Sequence, residues 1–311
     1  MMFLHKLKNC CLTALPTAWK STAWLLKLMI PISLAITILQ HTGLLAKIAL
    51  CLHPLFVHLG LPGASAVAFL SGATAGTYAG IAAMMSMPLT MKQATILSMM
   101  IALCHALPME CAVNRMTGSS FWKMATIRVL MAGLCGLLLN PLLPAADAAF
   151  IYLGAPADST LQEVCVTWML SQVKMSFMVF LIIYCLMTLQ RLLEAYALLK
   201  PLSHLLFPLM SLFGLPTQAA YMWLVGNVLG ISYGAAAMLE LEKQGVITRE
   251  EANEANYHLI MNHSLVEDTI VFGATGISAV LLVTVRITAA LILVWGRKAF
   301  GRLAYSEHSS A

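Results

Sequence analysis

Residues 60–84 read GLPGASAVAFLSGATAGTYAGIAAM, and residues 214–238 read GLPTQAAYMWLVGNVLGISYGAAAM. Each stretch opens with Gly-Leu-Pro, continues with three glycines at intervals of four (Gly72, Gly76, Gly80; Gly226, Gly230, Gly234) and closes with Ala-Ala-Met, 154 positions apart. Farther along, the offset becomes 158, and His105, Glu110, Thr117, Gly118, Thr126 and Arg128 align with His263, Asp268, Thr275, Gly276, Thr284 and Arg286. The chain is therefore an internal duplication that carries a histidine and a carboxylate at matching places in both copies. Glycines four apart lie on one stripe of a helix and let another backbone approach closely, so the spacing predicts one Gly-x-x-x-Gly helix per copy. That stripe either packs helices or lines a route for a solute. In the second case Ser71, Thr74, Thr77 and Tyr78 in one copy and Asn227, Ser232 and Tyr233 in the other are its hydrogen-bonding candidates.

Composition sets the environment. Of 311 residues, 60% are hydrophobic and 10% charged, with a mean hydropathy of +0.84, against roughly 25% charged in soluble domains. Apolar residues run continuously instead of alternating, which predicts membrane-spanning helices and not a β-barrel. Eight scattered cysteines without a C-x-x-C motif argue against a disulfide framework or a zinc ribbon. No nucleophile–base motif, cofactor fingerprint or phosphate-binding Gly-x-x-x-x-Gly-Lys-Ser/Thr loop occurs, so neither an enzyme nor a resident cofactor is expected, and nothing points to nucleic acid.

Charge placement gives an expected topology. Lys6, Lys8, Lys20 and Lys27 mark one end and Arg297, Lys298 and Arg302 the other, which places both termini in the cytoplasm. The apolar run after Cys10 is interrupted at Pro16 and Lys20, so residues 1–24 read as a surface segment and not as a cleaved signal. Asp147, Asp158 and Glu163 occur in the centre of the chain with no Lys or Arg between Asn140 and Gln172, which places a linker over 141–172 outside. Repeat 1 then spans 25–140, repeat 2 spans 173–297 and a tail follows over 298–311. Each repeat must cross an odd number of times, and the two must be inserted upside down relative to each other.

The matched histidine–acid segments are the sharpest site candidates. Glu110 is the first carboxylate of the chain and lies among apolar residues, where a charge costs several kcal/mol unless it finds a partner or water. Pro108 stands between His105 and Glu110 and is expected to break the helix there. In the second copy His263 and Glu267, four apart, are expected on one helix face beside Asn262 and Asp268. The substrate- or ion-binding candidates are thus His105, Glu110, Asn262, His263, Glu267, Asp268, Thr74, Asn227 and Ser232. Two alternatives stand beside that reading. His105, Glu110, His263 and Asp268 could form a four-donor N/O metal site, or the acids could pair with Arg115, Arg128 or Arg286 and merely join helices.

The doubled Gly-rich stretch, with Asn262-His263-Ser264-Leu265-Val266-Glu267-Asp268-Thr269 closing the second copy, resembles the bacterial "nucleoside recognition" or gate-domain membrane proteins, the family of the spore maturation proteins. The resemblance covers roughly residues 25–297. It implies an all-α integral membrane protein similar in fold to concentrative nucleoside transporters, with two inverted-topology repeats, paired broken or re-entrant helices and a mobile unit. By that likeness the expected function is a proton- or sodium-coupled, elevator-like secondary transporter of a small polar solute, nucleoside-like among the candidates, in the bacterial inner membrane. A divalent metal-ion permease and a non-transporting membrane partner are the alternatives. The lipid bilayer and the solute or ion are the expected partners, and a homo-oligomer fits the same reading.

Overall fold

The computed structural model describes residues 2–145, 148–153 and 159–309. Among the described residues all regular structure is helical, apart from an isolated bridge between Thr90 and Ala149. Five helical stretches among the described residues are long and apolar enough to cross a bilayer: Lys6–Leu39, Met91–Met116, Phe121–Leu142, Leu161–Ala195 and Ala279–Ala299. The protein is a multi-pass membrane protein. The outer faces of these stretches carry Leu130, Leu134, Leu137, Val173 and Phe177, all exposed, as lipid-facing residues should be.

The first half begins with α1 (Met2–His41) and α2 (Leu44–Phe56), then α3 (Ser65–Ala75), α4 (Thr77–Met85) and α5 (Met91–Leu103). It ends with α6 (Leu107–Met116) and α7 (Phe121–Leu142). The second half comprises α8 (Leu161–Ala195), α9 (Leu199–Leu205), α10 (Phe207–Leu212), α11 (Ala219–Val228), α12 (Ile231–Lys243), α13 (Arg249–Asn262), α14 (Leu265–Gly273) and α15 (Ala279–Ser309).

Four expectations change. α1 runs unbroken through Pro16 and Pro31, so residues 2–24 are the first part of a long helix and not a separate surface segment. The Gly-rich stretch is not one helix in either copy: it is interrupted at its middle glycine, Gly76 and Gly230. Both adopt nearly the same conformation, φ 104°, ψ 174° and φ 101°, ψ 167°, a region essentially closed to residues with a Cβ. The half-helices then fold onto each other, and the remaining glycines serve that crossing. A Cβ added to Gly80 would lie 3.0 Å from the Gly72 Cα, and one added to Gly234 would lie 2.9 Å from the Gly226 Cα.

The other two concern the histidines. In repeat 1 the helix breaks at Cys104–Ala106, upstream of Pro108, which sits harmlessly in the first turn of α6. Repeat 2 breaks at the matching place without any proline, at His263–Ser264, so His263 lies in the break while Glu267 lies on α14, and the two share no i, i+4 face. Ala106 (φ 45°) and Ser264 (φ 51°) carry the left-handed turn in each case. The breaks are tied to the glycine hairpins: the Ala106 amide donates to Gly72 O (3.0 Å) and the Ser264 amide to Gly226 O (3.0 Å). Non-helical backbone in a membrane protein survives only where the protein itself supplies such partners.

The helices form two compact units that do not follow the two halves of the sequence. Unit 1 is Met1–Leu107, Leu130–Tyr196 and Asp268–Ala279, and unit 2 is Pro108–Val129, Ala197–Glu267 and Val280–Ala311. Each repeat has handed its acid-bearing segment to the unit built on the other repeat's histidine.

Unit 1 is organised on α1 and α8, the leading helices of both repeats, packed lengthwise. Cys10, Ala14, Ala18, Met29 and Ile36 form the buried stripe of α1, and Val164, Met175, Val179 and Ile183 that of α8. Ser33 Oγ accepts from Trp168 Nε1 (3.3 Å) and Gln172 Nε2 (3.0 Å) across the pair. Asp147 and Asp158 of the expected external linker lie outside the described residues. In the part that is described, the Phe150 amide donates to Leu89 O and the Leu153 amide to Met85 O.

Unit 2 is built around Met210, Phe213, Ala219, Met222, Trp223, Ala252 and Leu259. Its α13 begins at a capping box, Thr248 with Glu251. The transferred α6 is held by Asn256, whose Nδ2 donates to Thr117 Oγ1 and Ser119 Oγ, both at 2.8 Å.

Candidate functional site

The helix breaks put both repeat histidines in the interior and force each imidazole into one orientation. His263 Nδ1 lies 2.8 Å from Leu259 O, and His105 Nδ1 lies 3.2 Å from both Ile101 O and Ala102 O. A carbonyl only accepts, so the Nδ1 atoms carry hydrogen and the Nε2 atoms face the acids.

In unit 1, His105 Nε2 is 3.9 Å from Asp268 Oδ2, and Thr77 Oγ1 donates to Asp268 Oδ1 at 3.1 Å. Thr77 is the first residue of α4, immediately after the Gly76 break, so the carboxylate lies at the positive end of a half-helix. In unit 2, His263 Nε2 is 3.0 Å from Glu110 Oε1, and Arg128 donates from Nη1 to Glu110 Oε2. Since His263 Nδ1 already holds a hydrogen, a lone pair on Nε2 would face a carboxylate at that distance. With the imidazole protonated the contact is a buried ion pair. All of these side chains are at least nine-tenths buried.

The two arginines at matching positions do different work. Arg128 binds Glu110, whereas Arg286 donates from Nε to Met261 O (2.9 Å) and from Nη2 to His263 O (2.6 Å). The second set of bonds satisfies carbonyls released where α13 ends. The helix-joining role weighed for the acids is thus real for Glu110 and Arg128, while Arg115 is exposed.

The other candidates separate. Asn227 and Asn262 are buried in unit 2, and Glu267 is half-buried at its edge. Thr74 and Ser232 are exposed, and the Thr74 hydroxyl donates to Leu70 O within its own helix, so neither joins the buried groups. Of the four N/O donors weighed for a metal, Glu110 is already held by the Arg128 guanidinium.

Sequence reading missed the pairings of three residues. Thr77 was one of several polar residues near the glycines, and only the break at Gly76 turns it toward Asp268. His258 and Trp223 gave no duplicated signal at all, because repeat 1 has Met100 and Phe69 in their places. Yet Trp223 Nε1 donates to His258 Nδ1 at 3.0 Å in the interior of unit 2.

Residues 22–120 match the family model described as "Gate: Nucleoside recognition". Over 294 residues the chain is 26% identical to the uncharacterized membrane protein YvoD of Bacillus subtilis (strain 168), an alignment covering 92% of this chain and 93% of that protein. No solved structure matches. The resemblance to the nucleoside-recognition gate family, read from short duplicated motifs, is thus carried independently by the family's own model over residues 22–120.

Proposed function

We propose that this chain is a proton-coupled secondary transporter of a small polar solute, working elevator-fashion in the bacterial inner membrane with both termini in the cytoplasm. It has no enzymatic role in this reading. The observation that carries it is the His263–Glu110 contact: 3.0 Å, fully buried, with Nδ1 already committed to Leu259 O. A proton held there sits at a helix break, where a modest backbone change alters its surroundings. The second pair, His105 with Asp268, again sets a histidine against a carboxylate, at a looser 3.9 Å, which fits a site able to exist in proton-holding and proton-releasing forms. Imidazole favours proton over sodium coupling, since a protonated ring repels the cation and a neutral one is a poor sodium ligand.

The gate-domain match over residues 22–120 supports a transporter-like membrane role and leaves the solute open. A divalent-metal permease is the second reading, favoured by the N/O donor set. Arg128 on Glu110 weighs against it, because a cation entering there would meet a guanidinium on one of its ligands.

The test is uptake by the reconstituted protein under an imposed pH gradient, with a panel of radiolabelled nucleosides and nucleobases. Glu110→Gln and Asp268→Asn should abolish proton-driven accumulation while gradient-free exchange persists. Full accumulation in both variants would return these residues to a structural role. Stoichiometric zinc, iron or manganese in the purified protein would favour the permease.

A further inference from the structure

Unit 2 contains a polar constellation with no counterpart in unit 1. Trp223, Asn227, His258 and Asn262 are buried to between 0 and 7% exposure, and the repeat places Phe69, Ala73, Met100 and Cys104 at the equivalent positions of the first copy. Duplication alone would have kept both sets apolar. Buried polar groups cost stability unless satisfied, so a set found in one copy only calls for a reason.

The hydrogen-bond directions can be fixed one after another. The indole of Trp223 is only a donor, and its Nε1 lies 3.0 Å from His258 Nδ1, so Nδ1 is unprotonated. The neutral imidazole must then carry its hydrogen on Nε2. Asn262 approaches the same Nδ1 at 3.0 Å, which requires its amide NH2 there and leaves its carbonyl Oδ1 turned away. Asn227 donates from Nδ2 to Trp223 O (3.0 Å), which fixes its Oδ1 as well. Phe213 packs on the imidazole with ring centroids 4.6 Å apart and holds it in place. What remains is one N–H donor, His258 Nε2, and two carbonyl acceptors, Asn262 Oδ1 and Asn227 Oδ1. None of the three has a hydrogen-bond partner among the described residues, and all are buried.

We propose that this constellation is the solute-binding subsite of unit 2 and takes an uncharged solute with an amide or lactam edge, its carbonyl accepting from His258 Nε2 and its N–H donating to the asparagine oxygens. The inference rests on the transporter reading above and specifies its solute class. Burial lowers the His258 pKa to about 4, in keeping with a neutral imidazole that offers one donor and attracts no anion. A solute lacking twofold symmetry has no use for two identical subsites, which accounts for polarity in one repeat alone.

The duplication supplies the controls, because His258→Met, Asn262→Cys and Asn227→Ala each install the residue that repeat 1 carries at the same place. Full-length protein in detergent would be titrated with uracil, nicotinamide and glutamine, following thermal stabilisation and radioligand binding. At least one probe should bind the wild type, and N-methylation of its N–H should remove that binding. Each repeat-1-like variant should bind about tenfold more weakly, the effect of one hydrogen bond worth roughly 1.4 kcal/mol, while eluting as a folded species. Binding unchanged in the three folded variants would overturn the assignment. So would no binding of any probe to the wild type, the result expected if ordered water alone fills these positions. Should one variant fail to fold, the other two and the N-methylated probes still decide. Binding without proton-driven uptake would keep this subsite and reject the transport reading, whereas uptake indifferent to all three variants would do the reverse.

Discussion

Gly76 and Gly230 share one backbone conformation to within a few degrees, and each begins the second half of a broken helix. The relation reaches their neighbours. Ala106 meets the first break and Ser264 the second: the Cβ a residue would need at Gly76 lies 3.9 Å from the Ala106 Cβ, and at Gly230 it lies 3.5 Å from the Ser264 Oγ. There is room for a methyl group at both places, so the requirement for glycine is one of dihedral angle.

Gly76→Ala and Gly230→Ala should therefore each destabilise the protein by about 1–3 kcal/mol through backbone strain alone. Gly133→Ala, in α7 with nothing within 4 Å of an added Cβ, should be neutral or slightly stabilising. Thermal unfolding in one detergent would compare them. Equal melting temperatures for the three variants would mean that the breaks relax freely.

The Arg128–Glu110 pair is almost wholly buried. Taking two charges out of water costs several kcal/mol each, and their attraction offsets this only while both are present. Glu110→Gln should cost about 3–5 kcal/mol because it leaves a buried guanidinium without its carboxylate. Arg128→Met combined with Glu110→Gln should recover much of that loss. A double-mutant cycle by thermal denaturation measures the coupling, and additive losses would show that the pair contributes little to stability.

His258 supplies a pH signature. α13 is outside the five apolar spans, and burial holds this imidazole down to about 4 from an ordinary 6.5. The unfolded chain takes up a proton near pH 6.5 and the folded protein resists until about pH 4. Stability from this group is complete above pH 6.5 and falls as pH drops through that window. His258→Met should flatten the slope of melting temperature between pH 6.5 and 4, whatever it does to the absolute value. An unchanged slope would place the titrating group elsewhere.

The legible part of this fold was the part the duplication wrote twice. Gly76 with Gly230, His105 with His263 and Glu110 with Asp268 announced themselves by spacing, and all lie at or beside helix breaks. Two kinds of information were hidden. The exchange of acid-bearing segments between units is a matter of packing, since no local preference of Pro108–Val129 says which α13-like helix it will lie against. The breaks were also misplaced, because Pro108 gave a strong local signal while the cause was tertiary: Gly72 O and Gly226 O capture the Ala106 and Ser264 amides. His258 and Asn262 illustrate the reverse case, where symmetry was the guide and the informative residues are those that depart from it.

Orientation in the membrane gives the last prediction, because the inverted arrangement of the repeats rests on it. The Lys6–Leu39 span of α1 contains 34 residues, about 51 Å at 1.5 Å per residue, far more than the roughly 30 Å of a hydrocarbon core. On the topology proposed above, Lys8, exposed near its start, is expected in water on the side that its basic neighbours select, the cytoplasm. Gln162, exposed at the start of α8, follows a stretch from Asn140 without Lys or Arg, and the same topology expects it outside. In a cysteine-free background, Gln162→Cys should react with a membrane-impermeant maleimide in intact cells, and Lys8→Cys only after permeabilisation. Opposite labelling requires repeat 1 to cross an odd number of times, which makes its copy enter upside down. If both cysteines label from the same side, the repeats are parallel and the inverted duplication is wrong.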